Sequence, residues 1–329
     1  MSSRIRLARN LAGIPFPNAA TREQRLEVMT LARARLLDSS QAPGPGMRWI
    51  DLSDARTIDR LALVERHLVS KQMVKGVEPR AVAVAEPGER LSVMVNEEDH
   101  LRIQAMRSGF ALDETWRFID AVDDRLEARL DFAYAPKLGY LTACPTNVGA
   151  GIRVSVMLHL PGLKLTGEIE KVRRAASKMN LAVRGFYGEG SEAVGDFFQL
   201  SNQTTLGRSE REIIDDLEGQ IVPQVIEYER QAREAMLRKR RMTLEDRVHR
   251  AAATLRSARL LSADESLQLL SLTRLGILQG LVEGVDLRVV HRLVLLCQPA
   301  HLQQAAGREI DQGERRILRA ELVRAALAC

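Results

Sequence analysis

Aromatic residues are scarce in this chain of 329 residues, at 4% of the sequence. Proteins that hold single-stranded nucleic acid stack its bases on aromatic side chains, so the composition disfavours that class. The three cysteines, Cys144, Cys297 and Cys329, follow no regular spacing. An odd, irregular set argues against a disulfide framework and favours a reducing cytosol. No apolar run approaches the roughly 20 residues of a membrane span, and no signal peptide precedes the first motif, so we expect a cytoplasmic protein without a membrane partner.

The rest of the composition is that of an ordinary globular protein, with 45% hydrophobic and 28% charged residues. The formal net charge of +5 permits anionic partners without identifying one. The length suits one large and one smaller domain. Because strand patterns give way to helical patterns rich in Leu, Ala and Arg, we expect a mixed α+β domain over residues 1–235 and an all-α domain over 236–329.

Hydrophobic periodicity and turn residues predict the individual elements. The opening segment alternates basic and apolar residues, which is typical of a strand with Arg4 and Arg6 on one face. Helices are expected over 22–38, 54–70, 111–132 and 164–180. Further strands are expected over 80–85, 91–96, 139–143, 153–160, 181–184 and 197–200. After residue 209 the pattern is helical throughout.

Three local motifs carry groups suited to chemistry. Residues 96–102 read Asn-Glu-Glu-Asp-His-Leu-Arg, residues 144–149 read Cys-Pro-Thr-Asn-Val-Gly, and residues 184–192 form a glycine-rich loop around Glu189. Taken singly, each has an ordinary interpretation: a solvated helix start, an inert buried cysteine and a surface loop. Taken as functional motifs, the first supplies carboxylates and the second a thiolate stabilised by backbone N–H groups. The third is a loop that closes over a ligand.

A set of arginines accompanies these motifs: Arg4, Arg6, Arg102, Arg153 and Arg184. Five guanidinium groups that converge on one pocket would repel each other strongly unless a polyanion were bound. Their planar forks suit phosphate oxygens. The ordinary alternative is scattered surface arginine, which a chain with 48 Lys and Arg residues can accommodate.

Together these motifs resemble the ATP:guanido phosphotransferases, the family of the arginine and creatine kinases. Residues 2–6, 96–102, 144–149 and Arg184-Gly185 before Glu189 match its signatures in order. Residues 64–70, 187–195 and 244–248 are most similar to a bacterial branch that phosphorylates arginine residues of proteins. The resemblance implies an α+β catalytic domain of the glutamine-synthetase-like type, with an antiparallel sheet flanked by helices. It also implies that the helical C-terminal domain serves regulation. Independently of the resemblance, one short segment of that domain is crowded with apolar residues, and we expect it to hold a homodimer together: Leu267, Leu269, Leu270, Leu272, Leu275, Ile277 and Leu278. The alternative is that both faces of this segment are buried inside a single chain.

The resemblance further implies roles for individual residues. Glu98, Cys144 and Glu189 correspond to the catalytic residues, supported by Thr146 and Asn147. The nucleotide-binding positions are Ser2, Ser3, Arg4, Ile5, Arg6, His67, Arg102, Arg153, Val154, Ser155, Val156, Met157, Arg184, Gly185, Phe186, Tyr187, Gly188 and Glu189. ATP with Mg²⁺ would be the phosphoryl donor, and the phosphates would hold the metal without a metal site in the protein.

Two positions depart from the family pattern. The threonine that usually follows the glycine of the cysteine loop is Ala150 here, so a hydroxyl is missing. A C-terminal signature for phosphoarginine binding reads Arg-Arg-Ile-Leu-Arg-Ala, with Arg315, Arg319 and Ala320 retained and Arg316 in place of the acid. Because a like charge would face the guanidinium, we expect little activation by free phosphoarginine.

We therefore expect a protein-arginine kinase that marks proteins for Clp-type degradation and regulates a stress response. No helical domain precedes Ser2, which favours an open site that admits protein-bound arginine. The alternatives are a small-molecule arginine kinase and a catalytically impaired phosphoarginine-binding adaptor. Residues 230–259 carry ten Lys and Arg against three Asp and Glu, so direct nucleic-acid binding is a weaker third. The expected partners are a second copy of the chain and, by resemblance, an adaptor protein, a Clp ATPase and a heat-shock repressor.

Overall fold

The computed structural model describes residues 1–38, 46–186 and 194–328. The strands are β1 Ser2–Arg9, β2 Met47–Asp51, β3 Ala81–Ala85, β4 Leu91–Val95, β5 Leu101–Ser108, β6 Tyr134–Ala135, β7 Gly139–Tyr140, β8 Ile152–His159, β9 Leu181–Arg184 and β10 Phe197–Asn202. The helices are α1 Arg22–Leu36, α2 Thr57–Glu65, α3 Leu112–Glu127, α4 Pro161–Leu165, α5 Ile169–Lys178, α6 Glu210–Asp216, α7 Val222–Lys239, α8 Arg241–Ser257, α9 Ala263–Leu278, α10 Leu287–Leu296, α11 Pro299–Ala306 and α12 Gln312–Leu327.

An eight-stranded sheet with the strand order β2-β3-β4-β5-β1-β8-β10-β9 forms the centre of the first part of the chain. Every neighbouring pair in it is antiparallel. Side chains of β1 alternate between its two faces, so that Ile5 and Leu7 are fully buried while Arg4 and Arg6 lie on the other face. The expected antiparallel sheet flanked by helices is confirmed.

Helices cover the apolar face of this sheet almost completely. The main core joins the inward side chains of the central strands with residues of α1, α3, α5 and α6. The opposite face is covered at its β3–β4 end, where Leu63 and Val64 of α2 pack on Val82 and Val84. At its other end, His159 of β8 contacts Ser271 and Arg274 of α9. The polar side of the central strands is therefore left open for a site.

Several elements are shorter than the sequence predicts. The helix expected over 54–70 ends at Glu65, because His67 takes a left-handed backbone with φ of 60°. The helix expected over 164–180 is split into α4 and α5 at Gly167, whose φ is +78°. The helix expected over 111–132 ends at Glu127, and the strand over 139–143 is only Gly139–Tyr140. The edge strand β2 was missed, since its five residues lack strict alternation.

From α6 to the end of the described chain all regular structure is helical, as predicted. A π-helical turn over Leu217–Ile221 joins α6 to α7, and α7 runs through the expected boundary at residue 235. The division of the chain at that residue stays a prediction. Across the ranges that the structure describes, no helix combines the length and apolarity needed to cross a membrane.

The leucine-rich segment of α9 is used mainly inside the chain. Leu267, Leu270 and Leu275 are at most 2% exposed, whereas Leu278 is 42% exposed. The α9 helix packs on α8 and also on the short turn Val194–Asp196 of the first part. Most of the apolar surface that suggested a dimer interface is thus covered by neighbouring helices.

Candidate active site

The five arginines singled out in the sequence lie on the open face of the sheet and line one cavity of about 280 Å³. They come from four strands: Arg4 and Arg6 from β1, Arg102 from β5, Arg153 from β8 and Arg184 from the end of β9. Arg6 is directly opposite Arg153 in the β1–β8 register. The antiparallel register brings together residues that lie up to 180 positions apart in the chain.

The cluster is electrostatically unfavourable without a ligand. Burial and the nearby Arg102, Arg153 and Arg184 lower the pKa of Arg4 to about 10. Burial and the same kind of repulsion place the pKa of Arg6 well below its usual range. The Nε of Arg6 is buried and has no hydrogen-bond partner among the described residues. A polyanion such as a triphosphate would supply both the missing acceptor and the missing negative charge.

The adjacent carboxylates of Glu97 and Glu98 have different surroundings. Glu97 is buried and pairs with Arg102, with Oε2 at 2.5 Å from Nη1. Burial alone would lower the pKa of Arg102, but the carboxylates of the turn, Glu97 foremost, outweigh it and raise the pKa. Glu98 is exposed and lines the cavity with the arginines. It is the carboxylate of this turn that an incoming group can reach.

The cysteine loop forms part of the cavity wall. Cys144 precedes a 3₁₀ turn over Pro145–Asn147, and its Sγ lies 3.1 Å from the hydroxyl oxygen of Thr146. Cys144, Thr146 and Asn147 all line the cavity. The Thr205 hydroxyl donates to the Val148 carbonyl at 2.8 Å and holds the far side of the loop. The structure thus brings the predicted thiol and its predicted hydroxyl partner beside Glu98 and the arginines.

His67, two residues after the end of α2, also lines the cavity. Its ring contacts that of Phe186 edge-on, with centroids 5.0 Å apart. Its carbonyl accepts a hydrogen bond from the side chain of Gln104 at 2.7 Å. Burial, with Arg4 and Lys71 nearby, lowers the pKa of His67 to about 3, so the imidazole is neutral at physiological pH.

Not every residue of the predicted nucleotide segments offers its side chain to the cavity. Ile5, Val154 and Val156 are fully buried in the core on the other face of the sheet, because strand residues alternate. The Ser3 hydroxyl is also buried there, donating to the Gly109 carbonyl and accepting from the Ala111 N–H. The side chains of these four residues are thus directed away from the cavity, and their nucleotide-binding role stays a prediction.

Other members of those segments do lie at cavities. Ser2, Ser155, Met157 and Phe186 line a second cavity that adjoins the first, and Gly185 is buried beside Arg184. Tyr187, Gly188 and Glu189, including the predicted catalytic carboxylate of the loop, lie outside the described residues. Their predicted roles stay predictions.

Sequence reasoning missed some residues at this site. Gln199 on β10 lines the cavity, and its Oε1 accepts from Arg4 Nη2 at 2.7 Å. Lys71 and Ser70 line it from the segment after α2. The alternation of polar residues along 197–202 was the available signal for Gln199, whereas nothing local distinguishes Lys71 from other surface lysines.

The donor set around the cavity does not resemble a metal cage. Within the described ranges no group of three His, Cys, Asp or Glu residues is placed to hold an ion. The surroundings are dominated by arginines, which bind phosphate oxygens instead. Any Mg²⁺ at this site would depend on oxygens supplied by the nucleotide.

The two departures from the family pattern have clear positions. Ala150 is 8% exposed in the main core, and its carbonyl accepts from Arg9 Nη1 at 3.3 Å.

In the C-terminal signature, Arg319 is 2% exposed and donates to the carbonyls of Cys297, Leu261 and Arg315. The N–H groups of Arg319 are thus committed to the interior, and its part in a phosphoarginine site stays a prediction. Ala320 is fully buried, and Arg316 is exposed.

Comparisons with known proteins agree with this geometry. The family model of the ATP:guanido phosphotransferase C-terminal catalytic domain matches residues 27–232, and that of the protein-arginine kinase McsB C-terminal domain matches residues 241–329. The protein-arginine kinase of Symbiobacterium thermophilum is 48% identical over 329 residues, covering 100% of this chain and 93% of that protein. That of Bacillus subtilis is 42% identical over 325 residues, covering 98% and 88%.

Solved structures show the same fold over about 70% of this chain. Lombricine kinase superposes with a TM-score of 0.60 at 28% identity, over 71% of this chain and 66% of that one. The duplicated taurocyamine kinase of Schistosoma mansoni, with bound transition-state-analogue components, superposes with a TM-score of 0.62 at 27% identity, over 70% of this chain and 33% of that one. This chain belongs to the ATP:guanido phosphotransferase family. Its relatives over nearly the full length of the chain include bacterial protein-arginine kinases, and its C-terminal residues match the family model of their C-terminal domain.

Proposed function

We propose that this protein transfers the γ-phosphoryl group of ATP to the guanidinium group of arginine residues in proteins. The observation that carries the proposal is one cavity in which five arginines face Glu98 and Cys144. A cation cluster suits the donor triphosphate, and a carboxylate and a thiol suit the cationic acceptor. The relatives over the full chain are named protein-arginine kinases, which supports a protein-bound acceptor.

The chemistry explains why both halves of the site are needed. Arginine is a poor nucleophile, because its charge is delocalised and its pKa lies above ~12. Glu98, with Glu189 as its predicted partner, would orient the planar guanidinium and accept its proton. Cys144 would act as an anion against the guanidinium, supported by the Thr146 hydroxyl at 3.1 Å. Neither residue needs to form a covalent phospho-intermediate.

The arginines would act by position and charge. Phosphoryl transfer depends mainly on alignment and on stabilising the charge that spreads over the phosphate oxygens. Arg4 donates to Gln199 and Arg102 donates to Glu97, so both guanidinium groups are oriented before the nucleotide binds. We propose Mg²⁺ as the companion of ATP, held by phosphate oxygens, where it would neutralise part of the triphosphate charge.

A generic protein acceptor tests the proposal. The chain is incubated with ATP, Mg²⁺ and the acceptor, and acid-labile phosphoarginine is measured by mass spectrometry. We expect phosphoarginine on the acceptor, and its loss in Glu98→Gln. Consumption of free arginine without modification of the acceptor would instead establish a small-molecule kinase. Nucleotide binding without any transfer would establish the impaired adaptor, the alternative that Ala150 raised.

The wider biological setting belongs to the same proposal. By resemblance, phosphorylated proteins would pass to a Clp ATPase, and an McsA-like adaptor and a heat-shock repressor would be partners in a cytoplasmic stress response. The free thiols of Cys144 and Cys297 suit a reducing compartment. Homodimerisation through the C-terminal helices stays a prediction, and light scattering at micromolar concentration measures it.

The basic segment 230–259 supports direct nucleic-acid binding less than its charge count suggests. Arg230, Arg233, Arg241 and Arg250 each pair with an acid on the same helix. Intrahelical pairing of this kind is typical of a solvated helix face. We therefore propose no nucleic-acid partner.

A further inference from the structure

The arginine cavity continues into a second cavity of about 550 Å³. The two share Arg4, His67 and Gln199. The second cavity is less charged, and its lining includes Met157, Phe186 and Val294. An apolar and aromatic pocket next to a cation cluster fits a nucleoside joined to phosphates.

The direction of the nucleotide follows from the position of the acceptor groups. Glu98 and Cys144 line only the first of these two cavities, so the transferred phosphoryl group must lie there. Since a triphosphate extends from its terminal phosphoryl group toward the nucleoside, the base and ribose must point the other way. The route past Arg4 and His67 leads into the second cavity.

One wall of that second cavity comes from the C-terminal part of the chain. His291 and Val294 of α10, together with Arg274 of α9, line it. All three fall within residues 241–329, outside the range 27–232 that matches the shared catalytic domain. The pocket for the nucleoside is therefore completed by a region that the catalytic domain itself does not contain.

Hydrogen bonds fix the orientation of the His291 ring. Arg274 Nε lies 3.1 Å from His291 Nε2, and Arg274 Nη1 lies 2.6 Å from His159 Nδ1. Because a guanidinium only donates, both imidazole nitrogens must accept. The proton of His291 is then on Nδ1. Burial and Arg274 lower the pKa of His291, which agrees with a neutral ring.

We infer that α10 forms part of the nucleotide site, with Val294 packing against the nucleoside and His291 Nδ1–H donating to an acceptor on the base or ribose. Arg274 is a positioning residue, because it acts through His291. This inference rests on the proposed function, since it takes the arginine cavity as the triphosphate site. It makes the C-terminal region a determinant of nucleotide affinity.

Two probes separate the two ends of the site. Isothermal titration measures the binding of ATP and of inorganic tripolyphosphate, which has no nucleoside, to the full-length chain. For Val294→Trp, whose indole would fill the second cavity, we expect ATP affinity to fall about tenfold or more while tripolyphosphate affinity changes less than about twofold. Arg292→Trp is the matched control, because Arg292 is exposed on the same helix and is outside the lining of this cavity. It should bind both probes as the wild type does.

Val294 also packs against the C-terminal core, so His291→Phe provides a second variant that removes the donor and keeps the ring. It should weaken ATP but not tripolyphosphate, by roughly three- to tenfold for a lost hydrogen bond. Unchanged ATP affinity in the folded variants would overturn the inference and leave the proposed function intact. Equal loss of both probes would overturn it too, since α10 would then act on the whole fold. A wild-type chain that binds neither probe would overturn the proposed function as well.

Discussion

The Asp99 carboxylate accepts a hydrogen bond from the Ala143 backbone N–H at 2.7 Å. This bond joins the acidic turn that carries Glu98 to the residue before Cys144. The same oxygen accepts from the Asn10 side chain at 2.7 Å, so the end of β1 is tied to the same point. Burial raises the pKa of Asp99, and these donors oppose the rise. Asp99 thus positions Glu98 and Cys144, the two residues proposed to hold the acceptor guanidinium, without lining the cavity itself.

Replacing Asp99 should therefore affect turnover through geometry. Asp99→Ala leaves the Ala143 N–H without its partner, and we expect a loss of roughly 1–3 kcal/mol in the free energy of unfolding. It should also lower kcat on a protein acceptor, since Cys144 loses its anchor. Asp99→Asn keeps one acceptor oxygen and should restore most of both. If Asp99→Asn were as impaired in kcat as Asp99→Ala, the charge of Asp99 would matter and the positioning role would be wrong.

The neighbouring carboxylates Glu97 and Glu98 should respond differently to the same change. Glu98→Gln removes the carboxylate that faces the acceptor, and we expect kcat to fall by ~10²–10³-fold with little change in ATP affinity. Glu97→Gln weakens the pair with Arg102 and should mainly raise the KM for ATP. Steady-state kinetics on a protein acceptor, with ATP binding by titration, measures both. Near-normal kcat in Glu98→Gln would remove it from the proposed mechanism.

Arg6 and Arg9 lie on the same strand, and replacing each of them tests whether the arginine cluster lowers the free energy of unfolding of the ligand-free protein. Arg6 is repelled by its neighbours and has an unpartnered Nε, whereas Arg9 is paired with Asp123 at 2.5 Å and stacks on Tyr140. Arg6→Met should raise the free energy of unfolding of the ligand-free protein by about 1 kcal/mol, while ATP affinity falls. Arg9→Met should lower the free energy of unfolding by about 3–5 kcal/mol, because it strands a buried carboxylate. Chemical denaturation without ligand measures both. Destabilisation by Arg6→Met would mean that the cluster is balanced without a polyanion.

Part of this site follows from local sequence pattern and part does not. Strand alternation correctly placed Arg4 and Arg6 opposite Ile5 in β1. A family motif is a continuous run of residues, whereas the side chains of a strand alternate between its two faces. Val154 was therefore expected at the nucleotide site together with Arg153 and Ser155, although its side chain lies on the other face. The positive φ of Asn96, 58°, turns the chain so that consecutive acids face different directions. No residue-by-residue pattern contains that information.

Contacts between distant parts of the chain were the least predictable. Glu65, at the end of α2, accepts from the Ala300 N–H at 2.7 Å and from the His301 ring at 2.7 Å. Ser271 of α9 donates to Asp196 at 2.5 Å, just after the glycine-rich loop. Both contacts depend on how the C-terminal helices dock on the catalytic sheet. In the sequence these residues are single polar positions with no distinguishing neighbours.

Stability should depend on pH through His67. Its pKa in the folded chain is about 3, against about 6.5 in an unfolded chain. Below about pH 6.5 the unfolded chain binds a proton that the folded chain does not, so the free energy of unfolding falls as pH drops from 7 toward 5. The expected contribution is about 1–2 kcal/mol at pH 5. His67→Asn tolerates the positive φ and cannot titrate, so it should reduce the dependence. A smaller dependence should remain, because burial also lowers the pKa of His100 and of His159. Denaturation at pH 7 and pH 5 measures it, with His249→Asn on the exposed face of α8 as the control variant. An identical pH dependence in wild type and His67→Asn would contradict the prediction.

The last prediction concerns regulation by phosphoarginine. The guanidinium of Arg319 donates to three backbone carbonyls, those of Cys297, Leu261 and Arg315. It therefore joins the start of α9, the end of α10 and α12, and burial lowers its pKa. With Arg319 committed to these carbonyls and Arg316 in place of an acid, free phosphoarginine lacks both a free cation at this position and a partner for its guanidinium. We expect added phosphoarginine to leave kinase activity on a protein acceptor nearly unchanged.

Arg319→Ala should instead act on stability, lowering the free energy of unfolding by roughly 2–4 kcal/mol as buried carbonyls lose their donors. Arg316→Asp, on the exposed side of α12, restores the acid without touching the core and serves as the comparison. Strong activation of the wild type by phosphoarginine would show that a different acid completes the site and that Arg319 leaves its carbonyls when the ligand binds.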